Sequence, residues 1–266
     1  MGSLDEAVTV GVFGAAGKMG ATVCQAIQDD ADLRLIAAVD PGAAGESLTE
    51  VTGVDADLEV AGGPEQLGEP PQVMIDFTHL DAGRTNVAWC AEHGVHAVVG
   101  TTGFTDADLT GFEQAFTASN CLIAPNFAIG AVLMMRFSEL AAPWFETAEI
   151  LEYHHDAKRD APSGTAMRTA ERMAAASGAW APDPTTTEVA AGARGGEGPA
   201  GIRVHSVRMR GMVAHQEVVL GTTGQTLSIR HDSYDRNSFM PGVVLAAKRV
   251  SGLAGVIVGL DALLDL

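Results

Sequence analysis

The first half of the chain alternates short apolar runs with longer segments that carry one apolar face. The runs have the length of buried strands, and the segments repeat with the period of a helix. Strands are predicted at 8–13, 33–39, 73–77, 97–99 and 121–124, helices at 21–28, 81–93 and 106–117, and loops with short elements at 41–71. Strands that alternate with helices form a doubly wound parallel sheet, which places this part of the chain in the α/β class.

The second half has a different pattern and predicts a different kind of sheet. The predicted elements are, in order, a helix at 129–145, a strand at 148–153, a helix from 163 to about 176, a long loop at 179–199, strands at 202–209, 213–220 and 226–231, a helix at 238–250 and a strand at 255–259. The glycine turns between the alternating strands favour an antiparallel or mixed sheet. The outer strand face, with Met209, Met212 and Val213, is either a subunit interface or packs on the domain's own helices.

A glycine turn follows the first predicted strand and opens the first helix. It reads Gly14-Ala15-Ala16-Gly17-Lys18-Met19-Gly20, a G-x-x-G-x-x-G variant of the dinucleotide-binding fingerprint. Its glycines permit a tight turn and close approach of the backbone to a pyrophosphate. Asp40 stands 20 residues after Gly20, at the end of the next strand, where an acid takes the ribose hydroxyls. A glycine-rich turn in another α/β fold remains the alternative.

Asp40 also predicts which nicotinamide cofactor the chain uses. A carboxylate repels the 2′-phosphate of NADPH, and Pro41 stands where an arginine would otherwise bind that phosphate. Lys18 offers partial compensation. We therefore expect the cofactors to be NADH and NADPH, with NADH preferred.

Small and aromatic residues follow the next three predicted strands at their carboxyl ends. Ligands of doubly wound sheets bind at this edge. The residues are Phe77 and Thr78, then Gly100, Thr101 and Thr102, then Ala124, Pro125, Asn126 and Phe127. Each group taken singly can be ordinary loop punctuation. Together they predict the nicotinamide end of a cofactor site.

The stretch 149–166 gathers the candidate chemistry of the second half. After the predicted strand come His154, His155 and Lys158, and then Ser163 as a helix N-cap. The amides of Gly164 and Thr165 would point out of that helix N-terminus, where an anion is favoured. A proton donor, a cation and an anion cradle suit the reduction of a small molecule that carries carboxylates. The alternative is a pair of ordinary histidines beside a solvated lysine.

Composition narrows the classes of function. The 266 residues carry 16 basic and 34 acidic side chains, a net charge of −18, which argues against nucleic-acid binding. The scattered Cys24, Cys90 and Cys121 are typical of a reduced intracellular protein. The first six residues lack a signal-peptide pattern, and no apolar run has the length of a membrane span. We expect a cytoplasmic protein without membrane partners.

These motifs closely resemble those of the 4-hydroxy-tetrahydrodipicolinate reductase (dihydrodipicolinate reductase) family of lysine and diaminopimelate biosynthesis. The resemblance extends along nearly the whole chain. Its anchors are 14–20, 100–104, 124–130, 154–166 and the closing Leu-Leu-Asp-Leu at 263–266. The string 154–166 is the most specific of them. One departure is Ala157, where many members of the family have a third histidine.

The resemblance implies a Rossmann-like doubly wound domain at 1–128 and 239–266, and a smaller α+β domain at 129–238 for substrate binding and oligomerisation. It implies reduction of 4-hydroxy-tetrahydrodipicolinate, a dicarboxylate, to tetrahydrodipicolinate by NADH or NADPH, in a homotetramer. His154 corresponds to the proton donor, Lys158 to the lysine that assists it. His155, Gly164 and Thr165 correspond to substrate contacts. The strand-end residues correspond to the nicotinamide side of the cofactor site.

Three other functions stay open at this point. One is a different nicotinamide-dependent dehydrogenase of an amino acid or sugar, and another is a dinucleotide sensor without catalysis. The third is a metal enzyme using His154 and His155. Adjacent histidines on an extended segment point in opposite directions, and a third ligand at suitable spacing is missing, so we expect no metal.

Overall fold

A computed structural model describes residues 7–264. The first six residues, on which the signal-peptide prediction depends, and the last two of the closing Leu-Leu-Asp-Leu lie outside the described residues. The chain divides into two compact units, Met1–Phe127 with Phe239–Leu266, and Ala128–Ser238. The C-terminal segment therefore belongs to the first unit.

The helices and strands follow one another in a regular order along the chain. The first nine are β1 (Val8–Phe13), α1 (Lys18–Gln28), β2 (Leu33–Val39), α2 (Leu48–Thr52), β3 (Val73–Asp76), α3 (Leu80–Glu92), β4 (His96–Val99), α4 (Asp106–Ala115) and β5 (Cys121–Ile123). The others are α5 (Ile129–Ala141), β6 (Thr147–His154), α6 (Gly164–Ala176), β7 (Gly196–Glu197), β8 (Arg203–Arg208), β9 (Ala214–Thr222), β10 (Gln225–Ser233), α7 (Met240–Arg249) and β11 (Val256–Val258).

The first unit contains a six-stranded sheet in the order β11-β5-β4-β3-β1-β2, and every pair of neighbours is parallel. This confirms the predicted doubly wound α/β architecture. The strand order reverses at β1, which has β2 on one side and β3 on the other. Ligands of such sheets bind at this switch point, beyond the carboxyl ends of the strands.

The central strands of this sheet are mostly apolar and buried because both faces are covered. All four residues of β3 are buried, as are the last four of β1. Parallel sheets with helices on both faces require such continuous apolar runs. The three cysteines are also buried in this unit, and burial raises the pKa of Cys24 to about 12. All three are packing residues of this unit.

The second unit contains a five-stranded sheet in the order β10-β9-β6-β8-β7. Strands β6 and β8 run parallel and the other neighbours are antiparallel, which confirms the predicted mixed sheet. The core includes Ile150 from β6, Leu220 from β9 and Met173 from α6, all fully buried. Because side chains alternate along a strand, the face of β6 that carries Ile150 also carries Glu152 and His154.

Two predictions in this region need correction. The helix predicted at 129–145 ends at Ala141, because Pro143, which has no amide hydrogen, lies in a 3-10 turn at Ala142–Trp144. Strand β8 ends at Arg208 and β9 begins at Ala214. Met209, Met212 and Val213 therefore lie in the connection between these strands and not on a strand face.

Strands β9 and β10 are joined by a tight hairpin that contains one of the predicted glycine turns. Thr222 pairs with Gln225, so Thr223 and Gly224 form a two-residue turn, and Gly224 has a φ of +80° that favours glycine. Within residues 7–264, none of the helices combines the length and hydrophobicity that crossing a membrane requires.

Candidate functional site

The glycine turn of the first unit is built by its own backbone. The amide of Gly14, at a φ of +70°, donates to the carbonyl of Val39 at 2.8 Å, and the amide of Gly17 donates to the carbonyl of Gly14 at 3.0 Å. A Cβ at Gly20 would collide with the carbonyl group of Gly14. Only glycine at position 20 lets α1 begin this close to the end of β1. The turn thus has the compact form that a pyrophosphate cradle needs.

The other residues of the turn line the start of α1. Ala15 is buried beneath the turn, and Gly17 is the N-cap of the helix. Lys18 and Met19 are the first two helical residues, and Lys18 is exposed. Helix N-termini with exposed first-turn amides attract phosphate groups. A cation at Lys18 adds to that attraction.

Asp40 is tied to the glycine turn. Its Oδ2 accepts a hydrogen bond from the amide of Ala16 at 3.1 Å, and its Oδ1 accepts one from the amide of Gly42 at 2.9 Å. The carboxylate is therefore held at the edge of the turn by two backbone donors. Each carboxylate oxygen retains a lone pair, so two ribose hydroxyls can still be bound.

The residues after β3 and β4 are joined by a carboxylate that was not among the predicted site residues. Asp76 is 2% exposed, and its Oδ1 accepts hydrogen bonds from the amide and the hydroxyl of Thr78 at 2.8 and 2.7 Å. The same oxygen accepts the hydroxyl of Thr101 at 2.8 Å, and Oδ2 accepts the side-chain amide of Asn86 at 2.7 Å. Asp76 thus fixes two adjacent strand ends. The hydroxyl hydrogen of the buried Thr101 is therefore bonded within the protein, to Asp76.

The remaining strand-end residues lie in the same part of the first unit. The rings of Phe77 and Phe127 are 5.4 Å apart, and a Cβ at Gly100 would collide with the ring of Phe77. The amide of Ala124 donates to the carbonyl of Val99 at 2.9 Å. Thr102 and Pro125 are exposed, while Asn126 is partly buried. The structure therefore brings together the predicted residues of β3, β4 and β5 at one edge of the sheet.

In the second unit, β6 ends at His154, whose side chain is 16% exposed. Its Nδ1 lies 2.5 Å from Oε2 of Glu152, two residues earlier on the same strand face. Glu152 is fully buried and also receives both terminal nitrogens of Arg208, at 2.9 and 2.8 Å, and the amide of Ser163 at 3.2 Å. The predicted proton donor is therefore hydrogen-bonded to a buried carboxylate, which also accepts hydrogen bonds from Arg208 and Ser163.

Two opposing influences act on the titration of these side chains. Burial lowers the pKa of His154, the bond from Glu152 raises it, and the charges of Lys158 and Arg208 lower it, with a net result below the ordinary histidine value. Burial alone would raise the pKa of Glu152, but the bonds from Arg208, Ser206 and His154 hold it below its usual value. Glu152 is therefore ionised at neutral pH.

Lys158 follows on the loop after β6. Its Nζ contacts both carboxylate oxygens of Asp160, at 2.8 and 2.9 Å, and its side chain is 21% exposed. Asp160 is mostly exposed, so this pair is screened by water and can exchange for another carboxylate. His155 lies exposed at the start of the same loop.

Helix α6 begins where the sequence predicted. Ser163 is its N-cap, and the side-chain oxygen accepts the amide of Ala166 at 3.2 Å. Gly164 and Thr165 are the first two helical residues, and the amides of a first turn point out of the helix N-terminus. The positive end of the helix dipole at this point favours a carboxylate. Glu152 also anchors the start of α6 through the Ser163 amide.

Glu152, Asp160 and Arg208 in this unit were not predicted from the sequence, and neither was Asp76 in the first. Two of them carried a signal. Glu152 is an acid at an inward-facing position that follows the apolar Ala148 and Ile150 on the same strand face, and Asp76 ends a strand whose other residues are all apolar. Asp160 and Arg208 carried no signal in the sequence, because their roles depend on contacts that form only when the strands and loops of the unit are folded.

Comparisons with known protein families cover both units. The family model described as the dihydrodipicolinate reductase N-terminus matches residues 8–127, and the model described as its C-terminus matches residues 130–264. The chain is 50% identical to 4-hydroxy-tetrahydrodipicolinate reductase of Nocardia farcinica, over 97% of this chain and 99% of the relative. It is 49% identical to the enzyme of the same name from Thermobifida fusca, over 97% of this chain and 100% of the relative.

Solved structures give the same result. A structure described as dipicolinate-bound dihydrodipicolinate reductase from Paenisporosarcina sp. TG-14 matches with a TM-score of 0.86 and 38% identity, over 96% of this chain and 99% of that one. An amine dehydrogenase from Mycobacterium smegmatis matches with a TM-score of 0.64 at 14% identity, covering 97% and 96% of the two chains. The second match shows a shared fold alone.

Proposed function

The chain belongs to the dihydrodipicolinate reductase family, and from this membership and its site we infer that it reduces 4-hydroxy-tetrahydrodipicolinate to tetrahydrodipicolinate with a nicotinamide cofactor, with loss of the 4-hydroxyl group as water. The observation that carries the proposal is the second unit's juxtaposition of a carboxylate-backed histidine, a lysine and a helix N-terminus. These groups can give a proton and hold carboxylates, which is what a dicarboxylate substrate requires.

The first unit fits a dinucleotide. Two observations support this fit. Any side chain at Gly20 would collide with the turn, and the carboxylate of Asp40 is held beside Ala16. We propose that the turn residues Gly14 to Met19 hold the pyrophosphate, that Asp40 holds the ribose, and that the strand-end residues around Phe77, Gly100 and Asn126 hold the nicotinamide. When bound, the cofactor supplies the hydride, and the protein supplies orientation and a proton.

In the second unit, the proposed roles follow from the charges. Imidazole is the side chain best suited to giving a proton near physiological pH, and the carboxylate of Glu152 favours the protonated ring of His154, so we propose His154 as the general acid. Lys158 exchanges its contact with Asp160 for a carboxylate of the substrate. Gly164 and Thr165 hold a carboxylate at the first turn of α6, and His155 contacts the substrate from the loop.

Several finer properties belong to the same proposal. Asp40 and Pro41 support a preference for NADH, with Lys18 allowing some use of NADPH. The family resemblance supports a cytoplasmic homotetramer. Light scattering after gel filtration tests the tetramer, and a monomer at assay concentrations would contradict it.

A coupled assay tests the activity. The preceding synthase makes the substrate in the cuvette, and the loss of NADH absorbance follows its reduction. We expect His154→Ala to lower kcat by about 10²–10⁴-fold, the range of general acid catalysis. His205 is the matched control, because its Nε2 lies 2.6 Å from the carboxylate of Glu149 in a similar histidine–glutamate pair. His205→Ala should retain kcat. A His154→Ala variant with wild-type kcat would remove His154 from the mechanism.

A further inference from the structure

Glu152 is a buried carboxylate whose contacts indicate a role toward a neighbouring side chain. Among the described residues of the second unit, it is the only carboxylate with no exposed surface. Burying a charge is costly unless it is paired and hydrogen-bonded, and replacing such a pair with apolar residues is often neutral or stabilising. Stability alone therefore does not account for an ionised glutamate at this position.

The contacts of Glu152 determine which nitrogen of His154 carries a proton. An ionised carboxylate accepts hydrogen bonds and cannot donate them. Arg208 approaches both of its oxygens, at 2.9 and 2.8 Å, which keeps the group ionised. The 2.5 Å contact with His154 therefore has the proton on Nδ1, and Nε2 is the nitrogen left for exchange with a bound molecule.

The same pair also fixes the loop that carries Lys158. A terminal nitrogen of Arg208 donates to the carbonyl of Asp160 at 2.6 Å, and the carboxylate of Asp160 holds Lys158. Glu152 itself accepts the amide of Ser163, at the start of α6. One buried ion pair thus connects to the histidine, to the lysine loop and to the helix N-terminus.

We propose that Glu152, clamped by Arg208, is the positioning residue for the proton donor. It keeps one proton of the His154 ring on Nδ1, so that the protonated ring gives up its other proton from Nε2. The inference rests on the proposed function, because it assigns His154 the role of general acid. It adds a residue that acts through His154 and does not touch the substrate.

A positioning role for Glu152 changes the pH profile in a defined direction. The charged groups that face the His154 ring within this unit are Glu152 on its own strand, Arg208 on β8 and Lys158 on the following loop. Of these, only Glu152 favours the protonated ring. A general acid is active when protonated, so kcat declines as the pH rises through its pKa. Without the carboxylate, the pKa of His154 falls further and the decline begins at lower pH.

The experiment compares Glu152→Gln and Glu152→Asp with the intact enzyme. We expect Glu152→Gln to lower kcat by about 10²-fold, to leave KM for NADH unchanged and to move the alkaline decline of kcat to lower pH. Glu152→Asp keeps the charge, so its profile should stay near that of the wild type with an intermediate kcat. The pKa of His154 is measured separately by hydrogen–deuterium exchange at the imidazole C2 position, which does not depend on turnover.

Glu149 provides the matched control. It lies on the same strand and pairs with Arg194 at 2.5 Å and His205 at 2.6 Å, so it has the same kinds of partner. It is three residues from Glu152 and therefore points to the opposite face of the sheet. Glu149→Gln should leave kcat, its pH profile and the exchange pKa of His154 unchanged.

A second measurement uses the wild-type protein and needs no variant at Glu152 to fold. With histidine labelled by nitrogen-15, long-range proton–nitrogen spectra above the pKa must show His154 protonated at Nδ1. The His154 signals are identified by their absence in His154→Gln. A ring protonated at Nε2 overturns the proposal. So does a loss of kcat in Glu152→Gln with an unchanged profile, or an aspartate variant no better than the glutamine variant.

These readouts separate two kinds of failure. If the enzyme does not reduce the substrate, the proposed function is wrong, while the tautomer and the exchange pKa still report on Glu152 and His154. If the enzyme is active but the tautomer and pKa do not depend on Glu152, only the positioning role is wrong.

Discussion

Replacing Asp40 with asparagine should weaken the preference for NADH. A 2′-phosphate would stand where we propose that Asp40 binds a ribose hydroxyl. Two unit charges about 4 Å apart repel by about 1 kcal/mol in water and about 4 kcal/mol at an effective dielectric constant of 20. Asp40 is half-buried, so its environment lies between these limits. With Lys18 offsetting part of the repulsion, we expect the wild type to favour NADH on the order of 10- to 100-fold in kcat/KM.

Asp40→Asn removes the negative charge of the side chain and replaces one of its two acceptor oxygens with an NH₂ group. Oδ1 and Oδ2 of Asp40 each accept a backbone amide, from Gly42 and Ala16, and the NH₂ group of asparagine cannot accept one of these bonds. That lost bond lowers the stability of free and bound enzyme alike. Asparagine also offers the ribose a neutral acceptor in place of a carboxylate, and a hydrogen bond to a neutral group is weaker by about 1 kcal/mol, so kcat/KM for NADH should fall by about fivefold. kcat/KM for NADPH should rise, and the ratio of the two should approach one.

The assay measures kcat/KM for both cofactors in the wild type, in Asp40→Asn and in a control, Glu46→Gln. Glu46 lies six residues on with an exposed side chain, so its replacement changes the net charge equally in a screened position. We expect the control to retain the wild-type ratio. A wild type that strongly prefers NADPH would refute the reasoning, as would a ratio that Asp40→Asn leaves unchanged.

Three further predictions concern the second unit. Lys158→Ala should raise KM for the substrate or lower kcat and leave the Kd for NADH intact; weaker NADH binding would contradict the assigned role. Ser163→Ala removes the acceptor for the Ala166 amide and should lower the free energy of unfolding by about 1 kcal/mol, measured by urea denaturation, with no loss expected for the exposed Ser251→Ala. Met173→Ala empties a fully buried position and should cost about 2–5 kcal/mol in the same assay; a cost below about 1 kcal/mol would show that the core closes around the gap.

The sequence predicted the elements of both units well, because each depends on local pattern. The strand β1 and the N-cap Ser163 lie where the pattern placed them. Helix α1 begins three residues earlier than predicted, at Lys18, because Gly17 rather than the later apolar positions starts it. Pro143 ended α5 earlier than its apolar composition indicated. The errors therefore fall at the ends of helices and strands, where a single residue determines the boundary.

The candidate site was predictable in part for the same reason. The candidates of 154–165 are close together in the chain, so a motif can show them. The partners of these residues come from elsewhere: Arg208 meets Glu152 only because β8 runs parallel to β6, with His154 opposite Arg208. Asp76 meets Thr101 because β3 and β4 are neighbours. Strand pairing is a property of the folded sheet, and no spacing in the sequence reveals it.

The edge strand β11 has a consequence for synthesis. It pairs with β5, although 132 residues separate Ile123 from Val256 (residues 124–255), and the whole of Ala128–Ser238 is translated in between. A growing chain on the ribosome therefore holds every residue of the inserted unit before the first sheet can gain its sixth strand. Until then β5 is exposed as an unpaired edge, open to pairing with other nascent chains.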